Sequence, residues 1–309
     1  MKPQQLTLPP GITVFVRGWL SSNNILMEGR EACALIDSGY VSDGPQTLAL
    51  VKAALHGRPL DMLANTHLHS DHCGGNAALQ NAYPALSTHI PPGLSRHVSS
   101  WDAQALTFTP TGQSCPQFRF DALLVPGSEI TLGDGRWQVH AAPGHDPHSV
   151  ILFEPASRAL ISADALWQRG FGVVFPELEG LDAFDQVGKT IDLIESLAPK
   201  VVIPGHGSAF NGVEKSIAVA RERLDRFVTD PARHISYASK VLLKFKLLEV
   251  QAMALDAFIA WASATPYFSL IFSQHVQQLD FPHWIEQLIG ELIKSGAASR
   301  DGSMIRNAG

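Results

Sequence analysis

The chain of 309 residues has little cysteine, no long apolar run and no surplus of basic charge. Its three cysteines, Cys33, Cys73 and Cys115, are too few and too scattered for a disulfide framework. Cys73 adjoins His72, but small buried cysteines are common, and it is not counted below as a ligand. No segment supplies the ~20 uninterrupted apolar residues of a membrane helix. Residues 1–6 lack the apolar core of a signal peptide, and Pro9 and Pro10 follow closely. A reducing, cytoplasmic setting without a membrane partner is therefore expected. With 23 Lys and Arg against 29 Asp and Glu, the net charge of −6 offers nucleic acid no general electrostatic hold. Internal repeats and low-complexity tracts are absent as well.

What is present suits a globular protein. Apolar residues make up 45% and charged residues 17%, enough to bury a substantial core in one large domain or two ordinary ones. The chain is organised around Thr66-His67-Leu68-His69-Ser70-Asp71-His72-Cys73-Gly74-Gly75, directly after an apolar run at 60–64 that reads as a buried strand. Only 13 of the 309 residues are histidine, so three within six positions argues against an ordinary polar loop. Imidazole nitrogen and carboxylate oxygen suit zinc or a similar first-row divalent ion. In extended backbone, side chains two apart point the same way, so His67 and His69 can grip one ion. Asp71 and His72 follow where Gly74 and Gly75 let the chain turn, and can reach a second ion beside the first.

The pattern His-x-His-x-Asp-His resembles the signature of the metallo-β-lactamase superfamily. Three downstream stretches fit the same resemblance: Ala142-Pro143-Gly144-His145, Leu160-Ile161-Ser162-Ala163-Asp164, and Val202-Ile203-Pro204-Gly205-His206-Gly207. Each places a ligand-type residue at a strand end, where the rigidity that metal sites need is available. The resemblance implies a first ion on His67, His69 and His145, a second on Asp71, His72 and His206, and Asp164 bridging both. It covers roughly residues 12–210 and implies an α/β fold, the αββα sandwich, with the site at the sheet edges. Two departures stand out. Asp146-Pro147-His148-Ser149 follows His145 where a Thr or Ser is common, and Ala163 replaces a glycine usual before the bridging aspartate. His148 is left between a substrate contact and a surface histidine. His56, His89, His97, His140, His234, His275 and His283 lack ligand-like companions and read as structural.

The rest of the chain gives the setting. Residues 12–16 read as a strand, and 24–27 with 32–36 as a hairpin about Glu28-Gly29-Arg30-Glu31. Asp37 ends a buried strand, where a carboxylate is costly unless hydrogen-bonded, and is assigned to hold the His67 to His72 backbone. Pro45 lies just inside a helix running to about His56, with Asp43 as its expected cap. A short helix from about Asn76 and a strand at 85–90 follow. From 99 to 120 periodicity fails, and Trp101, Phe108 and Phe118 are expected to form one wall of a substrate pocket. Short strands at 129–132, 136–142, 149–153 and 159–162 precede a helical stripe of Phe184, Val187, Ile191 and Ile194, and a last strand at 201–203.

After Gly212 the character turns helical. Ile217, Ala220, Leu224 and Phe227 form one stripe, and Leu242, Phe245, Leu248 and Ala252 another. Leu255, Phe258 and Ala262 form a third, and Ile285, Leu288, Ile289 and Leu292 a fourth that ends at Gly296. The polar tail from Ser299 has little to pack. The expected division is a catalytic domain at 1–211 and an all-helical domain at 212–309, with a winged-helix-like arrangement as its variant. These helices are expected to close over the metal site, with Trp167 and Phe171 on the remaining walls.

Two divalent ions about 3.5–4 Å apart can acidify a shared water and polarise a carbonyl, which makes hydrolysis the leading function. The expected cofactors are two divalent ions, zinc first, with iron or manganese as alternatives, and Asp71 is the expected proton shuttle. The expected substrate is a small-molecule ester, thioester or lactone, glyoxalase II-like thioesterases being the nearest analogy. The alternatives are a nucleic-acid phosphodiesterase and an iron-dependent oxidoreductase. Charge disfavours the nuclease, since residues 211–309 hold 11 Lys and Arg against 10 Asp and Glu and show no basic stripe. Homodimerisation is left open.

Overall fold

In the computed structural model, which describes residues 6–276 and 279–309, the apolar runs of the first third become one sheet. Its strands are β1 (Ile12–Phe15), β2 (Asn24–Glu28), β3 (Cys33–Ile36), β4 (Met62–Ala64), β5 (Ser87–Ile90) and β6 (Ala122–Leu123), side by side in chain order. β1 to β3 run antiparallel and β3 to β6 parallel. A second sheet holds β7 (Glu129–Leu132), β8 (Gly135–Ala141), β9 (Val150–Glu154), β10 (Ala159–Ala163) and β11 (Val201–Pro204), with only β10 and β11 parallel.

The helices of the sandwich are α1 (Gly44–Leu55), α2 (Ser70–Cys73), α3 (Asn76–Ala82), α4 (Ser95–Ser100), α5 (Phe108–Thr111), α6 (Phe175–Leu178), α7 (Phe184–Leu197) and α8 (Val213–Thr229). Side chains alternate across each strand, so both faces of each sheet must be covered. Ile25, Met27 and Ile36 meet Trp137, Val139 and Leu152 in the core between the sheets. Leu26, Leu35 and Leu63 point outward onto Val51 and Leu55 of α1 and Leu79 of α3. On the far side Ile151, Leu160 and Val202 pack on Ile191 and Ile194 of α7 and Ile217 of α8. The result is the expected αββα sandwich.

One detail at the start of α1 differs from expectation. Pro45 lies in the first turn, but Asp43 makes no side-chain cap, because it accepts the Ser21 hydroxyl at 2.6 Å and faces Arg17 at 3.6 Å. It belongs to a 3-10 turn, Val41–Asp43, whose helical backbone there (φ −91, ψ −2) departs from the extended conformation of a capping residue.

The C-terminal region is helical in the main, with α9 (Pro231–Val250), α10 (Leu255–Ala264), α11 (Pro266–His275) and α12 (Phe281–Lys294) around their own core of Leu243, Phe258, Phe268, Ile285 and Leu288. It is not all-helical. β12 (Ala252–Ala254), β13 (Ala298–Asp301) and β14 (Met304–Asn307) form an antiparallel sheet in the order β12-β14-β13. Ala252 therefore opens a strand instead of extending the stripe of α9, and the polar tail pairs after all. Backbone hydrogen bonds hold that hairpin, with Ile305 as its fully buried anchor, so apolar periodicity had little to report there. Among the described residues no single helix is long and apolar enough to cross a membrane. α10 and α11 meet the criterion only as a pair bent by 82°.

Candidate metal centre

The candidate ligands cluster at the ends of four strands. β4 leads into Asn65 and Thr66, and so to His67 and His69, while the single turn of α2 presents Asp71 and His72. β8 leads to His145, β10 to Asp164 and β11 to His206. A bulge between Ile161 and Ala163, with Ala163 at φ +47, turns the chain just before Asp164. The neighbouring strand braces this turn, as Gly205 N–H donates to the Ala163 carbonyl at 2.8 Å.

All seven residues come together in two adjoining groups of donor atoms, His67, His69 and His145 in one, and Asp71, His72, Asp164 and His206 in the other. In the first, His69 Nδ1 lies 3.1 Å from His67 Nε2 and 2.9 Å from His145 Nε2. In the second, Asp71 Oδ2 lies 3.1 Å from His206 Nε2 and 3.7 Å from His72 Nε2. Asp164 faces both groups, with Oδ2 at 3.5 Å from His145 Nε2 and Oδ1 at 3.6 Å from His72 Nε2.

The rings are held from behind. His72 Nδ1 donates to Asp37 at 2.8 Å, and His145 Nδ1 to the Val173 carbonyl at 2.5 Å. His67 Nδ1 meets the Thr66 hydroxyl at 3.2 Å. These bonds fix tautomers whose remaining lone pairs converge, the arrangement a metal ligand requires. His72 Nε2 is buried without any hydrogen-bond partner, which is costly for a polar atom unless something else binds it. Bare backbone lets the groups approach. A Cβ on Gly205 would sit 2.2 Å from Asp164 Oδ1, and one on Gly172 would sit 2.4 Å from His145 Nδ1. The donor set, the orphaned nitrogen and this cradle all fit divalent ions.

Charge within the site follows the same grouping. Burial, then repulsion from His145, pushes His69 down to about 4, and burial with the neighbouring imidazoles holds His67 well below the ordinary histidine value. Burial opposes charge on His72, yet Asp37, Asp71 and Asp164 outweigh it and raise its pKa. Burial likewise opposes charge on Asp164, but His206, His72 and His145 hold it well below the usual carboxylate range. His67 and His69 are thus neutral and offer lone pairs, while the other group carries the carboxylates.

The walls differ from expectation in two places. Phe108 and Phe118 are buried with Leu68, Cys73 and Ile90 and meet Trp101 tilted and edge-on, so those aromatics form a small core behind the metal loop. Thr111 and Gln113 face the cleft from that segment instead. Phe171 is buried in the sandwich under Arg223, and Phe175 takes the wall position, in edge contact with His69 and His145. His148 is exposed and packs beside Gly93, lining a separate crevice instead of the main cleft.

Sequence reading also missed Trp19, which is 57% exposed yet stacks on His206 at 5.4 Å and meets Trp167 edge-on. An isolated tryptophan in a Gly- and Ser-rich turn was its one signal. Tyr237, Val241 and Phe245 of α9 close the cleft from above, as expected of the C-terminal helices. Tyr40 holds α9 there: its hydroxyl donates to Glu249 at 2.9 Å and accepts the Ser114 N–H at 3.0 Å.

A family model, the metallo-beta-lactamase superfamily, matches residues 17–206. The chain belongs to that superfamily. It is an enzyme of this hydrolase family with side chains placed to bind metal. It is 28% identical to hydroxyacylglutathione hydrolase of Brucella anthropi over 234 residues, 73% of this chain and 74% of that one. It is 26% identical to the acyl-coenzyme A thioesterase MBLAC2 of Homo sapiens over 223 residues, 66% of this chain and 79% of that one. Among solved structures, TTHA1623 in a di-iron-bound form superposes with a TM-score of 0.53 at 26% identity, covering 67% of this chain and 96% of that one.

Proposed function

We propose that the protein hydrolyses thioesters at a dinuclear metal centre, with one ion on His67, His69 and His145 and another on Asp71, His72 and His206. The observation that carries this reading is the position of Asp164, within 3.6 Å of His72 in one group and 3.5 Å of His145 in the other. Bound there, divalent ions would supply Lewis acidity toward a carbonyl and an acidified water. Zinc is proposed first, and iron is the alternative that the di-iron relative supports.

The chain's own residues do the rest. Asp71 has the most exposed of the site's carboxylates, 15% against 6% for Asp164, so it can take a proton from the attacking water and return it to the leaving thiolate. Phe175, Val241 and Phe245 keep bulk water from the cleft, which strengthens every charge interaction inside it. The thioester choice rests on relatives of two kinds, both thioester hydrolases by name. The free thiols Cys33, Cys73 and Cys115 support a reducing, cytoplasmic setting.

Elemental analysis of protein purified without chelator should give close to two equivalents of metal per chain. A panel of thioesters, lactones and phosphodiesters should be cleaved in the order that puts thioesters first. One equivalent at full activity would sink the dinuclear centre, and faster phosphodiester cleavage would sink the substrate class.

A further inference from the structure

Two cavities flank the metal cleft, and Tyr237 forms a wall of all three. One is an open groove of about 670 Å³ running along α8 and the start of α9, with the turn after Trp167 at its edge. Arg169, Arg223, Arg226, Arg233 and Lys240 line it, and Asp230 is the single acid among its lining residues. Arg169 comes from the turn after Trp167, and the other four come from the consecutive helices α8 and α9.

Their pairing leaves the groove short of anions. Arg169 is exposed, with no carboxylate partner among the described residues. The Arg223 guanidinium also lacks one and lies 4.4 Å over the Tyr237 ring and 5.3 Å over Phe171 and Phe227. Arg226, Arg233 and Lys240 each have one acid, Glu222 at 3.0 Å, Asp230 at 2.9 Å and Glu291 at 2.8 Å. Five cations thus face three acids in a protein whose net charge is −6. Exposed pairs of this kind are weak and exchange readily for a better acceptor. A guanidinium lying over aromatic rings, with no carboxylate partner, keeps donors that match phosphate geometry.

The second cavity, about 420 Å³, is largely apolar. Trp19, Trp167, Val241, Phe245, Leu248 and Leu292 line it, with Lys240 and Lys244 among its polar residues. Trp19, Trp167, Tyr237, Val241 and Phe245 also line the metal cleft, so this cavity adjoins the cleft and shares these walls with it.

We propose that the substrate is an acyl thioester of a phosphorylated thiol carrier. Its phosphates lie on the groove of Arg169, Arg223, Arg226, Arg233 and Lys240, its acyl chain fills the apolar cavity, and the thioester carbonyl sits between them at the metal centre. This rests on the thioester reading and specifies which thioester. A carrier bearing one or two carboxylates would leave most of these cations unused, whereas an extended polyanion engages them together. The reaction is a plain hydrolysis: water oxygen bonds to the carbonyl carbon, the C–S bond breaks, and the proton passes through Asp71 to the departing thiolate, giving a carboxylic acid and a free thiol.

The test uses one acyl group on three carriers: coenzyme A, glutathione, and N-acetylcysteamine, which has no phosphate. The wild type should favour the coenzyme A thioester over both others by about 10-fold or more in kcat/KM, mostly through KM, and added salt should erode the advantage. Arg169→Gln combined with Arg226→Gln changes two exposed side chains and should cut that preference about 10-fold. Calorimetry with free coenzyme A gives a readout apart from turnover, and its Kd should weaken by a similar factor in the same variant. No preference for the phosphorylated carrier, or a preference and Kd unmoved by the double substitution, would overturn the proposal. So would tighter binding of a single-stranded oligonucleotide than of coenzyme A at equal salt. If no thioester is cleaved but coenzyme A binds and loses affinity in the variant, the hydrolase reading fails while the phosphate groove stands.

Discussion

Asp37 and His72 stand 2.8 Å apart, carboxylate oxygen to ring Nδ1, so that Asp37 decides which nitrogen of His72 faces the site. The same carboxylate accepts the Thr66 backbone N–H at 2.9 Å and the Thr66 hydroxyl at 2.8 Å. One side chain therefore sets a candidate ligand's tautomer and also pins the start of the loop that carries His67 and His69. Asp37 does this from a left-handed backbone (φ +56), a conformation that aspartate tolerates better than most residues.

Replacing Asp37 by Asn should weaken metal retention and activity about 10–100-fold, since the amide cannot accept from both Thr66 and His72. Metal content after dialysis and kcat on the best thioester check this together. Normal values for both would remove Asp37 from its assigned role.

Asp164→Ala should be the most damaging single change at the site. The residue faces both donor groups, so metal bound at each should fall and activity should be lost. His206→Ala removes a member of one group only and should spare the three-histidine group. Metal stoichiometry measured in parallel separates the two outcomes, and equal loss in both variants would contradict the assignment.

Acid should cost stability through His234. The ring is 1% exposed, accepts the Val174 N–H at 3.0 Å, and is pushed down to about 4 by burial and then by Arg223. Its folded pKa lies below the unfolded value near 6.5, so the unfolded chain takes up a proton first as pH falls. Stability is untouched above about pH 6.5, declines between 6.5 and 4, and levels off below. Urea unfolding at pH 7.5 and pH 5 should show the wild type losing about 2 kcal/mol more than His234→Gln, which keeps an acceptor but does not titrate. An identical loss in both proteins would exonerate His234.

Tyr40→Phe should loosen α9 over the cleft. The change deletes the bond to Glu249 and leaves the Ser114 N–H without its acceptor, a cost of about 1–3 kcal/mol. Hydrogen exchange should rise in α9 more than in β2 and β3. Uniform exchange across both regions would mean that Tyr40 does not anchor the helix.

The candidate metal centre was legible because its chemistry is local. Rare residue types at fixed spacing in 67–72, and three further ligand types at strand ends, already named all seven side chains that the fold gathers. The αββα sandwich was legible for a related reason, since strands buried on both faces must be apolar throughout and helices must show a 3.6-residue stripe. Where stability came from backbone pairing, the signal vanished, and β13 and β14 read as an idle tail.

What only the tertiary structure decided is which residues surround the ligands. Phe171 and Phe175 are four positions apart in one aromatic stretch, yet one is buried in the sandwich and the other touches His69 and His145. Phe108 and Phe118 turned away from the cleft, while Trp19 came from the far end of the chain to stack on His206. The five cations about Tyr237 belong to segments that meet only when α8 and α9 fold beside the Trp167 turn. A ligand's chemistry is a property of its own side chain and nearest neighbours in sequence. A pocket wall is a property of long-range packing, which no local pattern encodes.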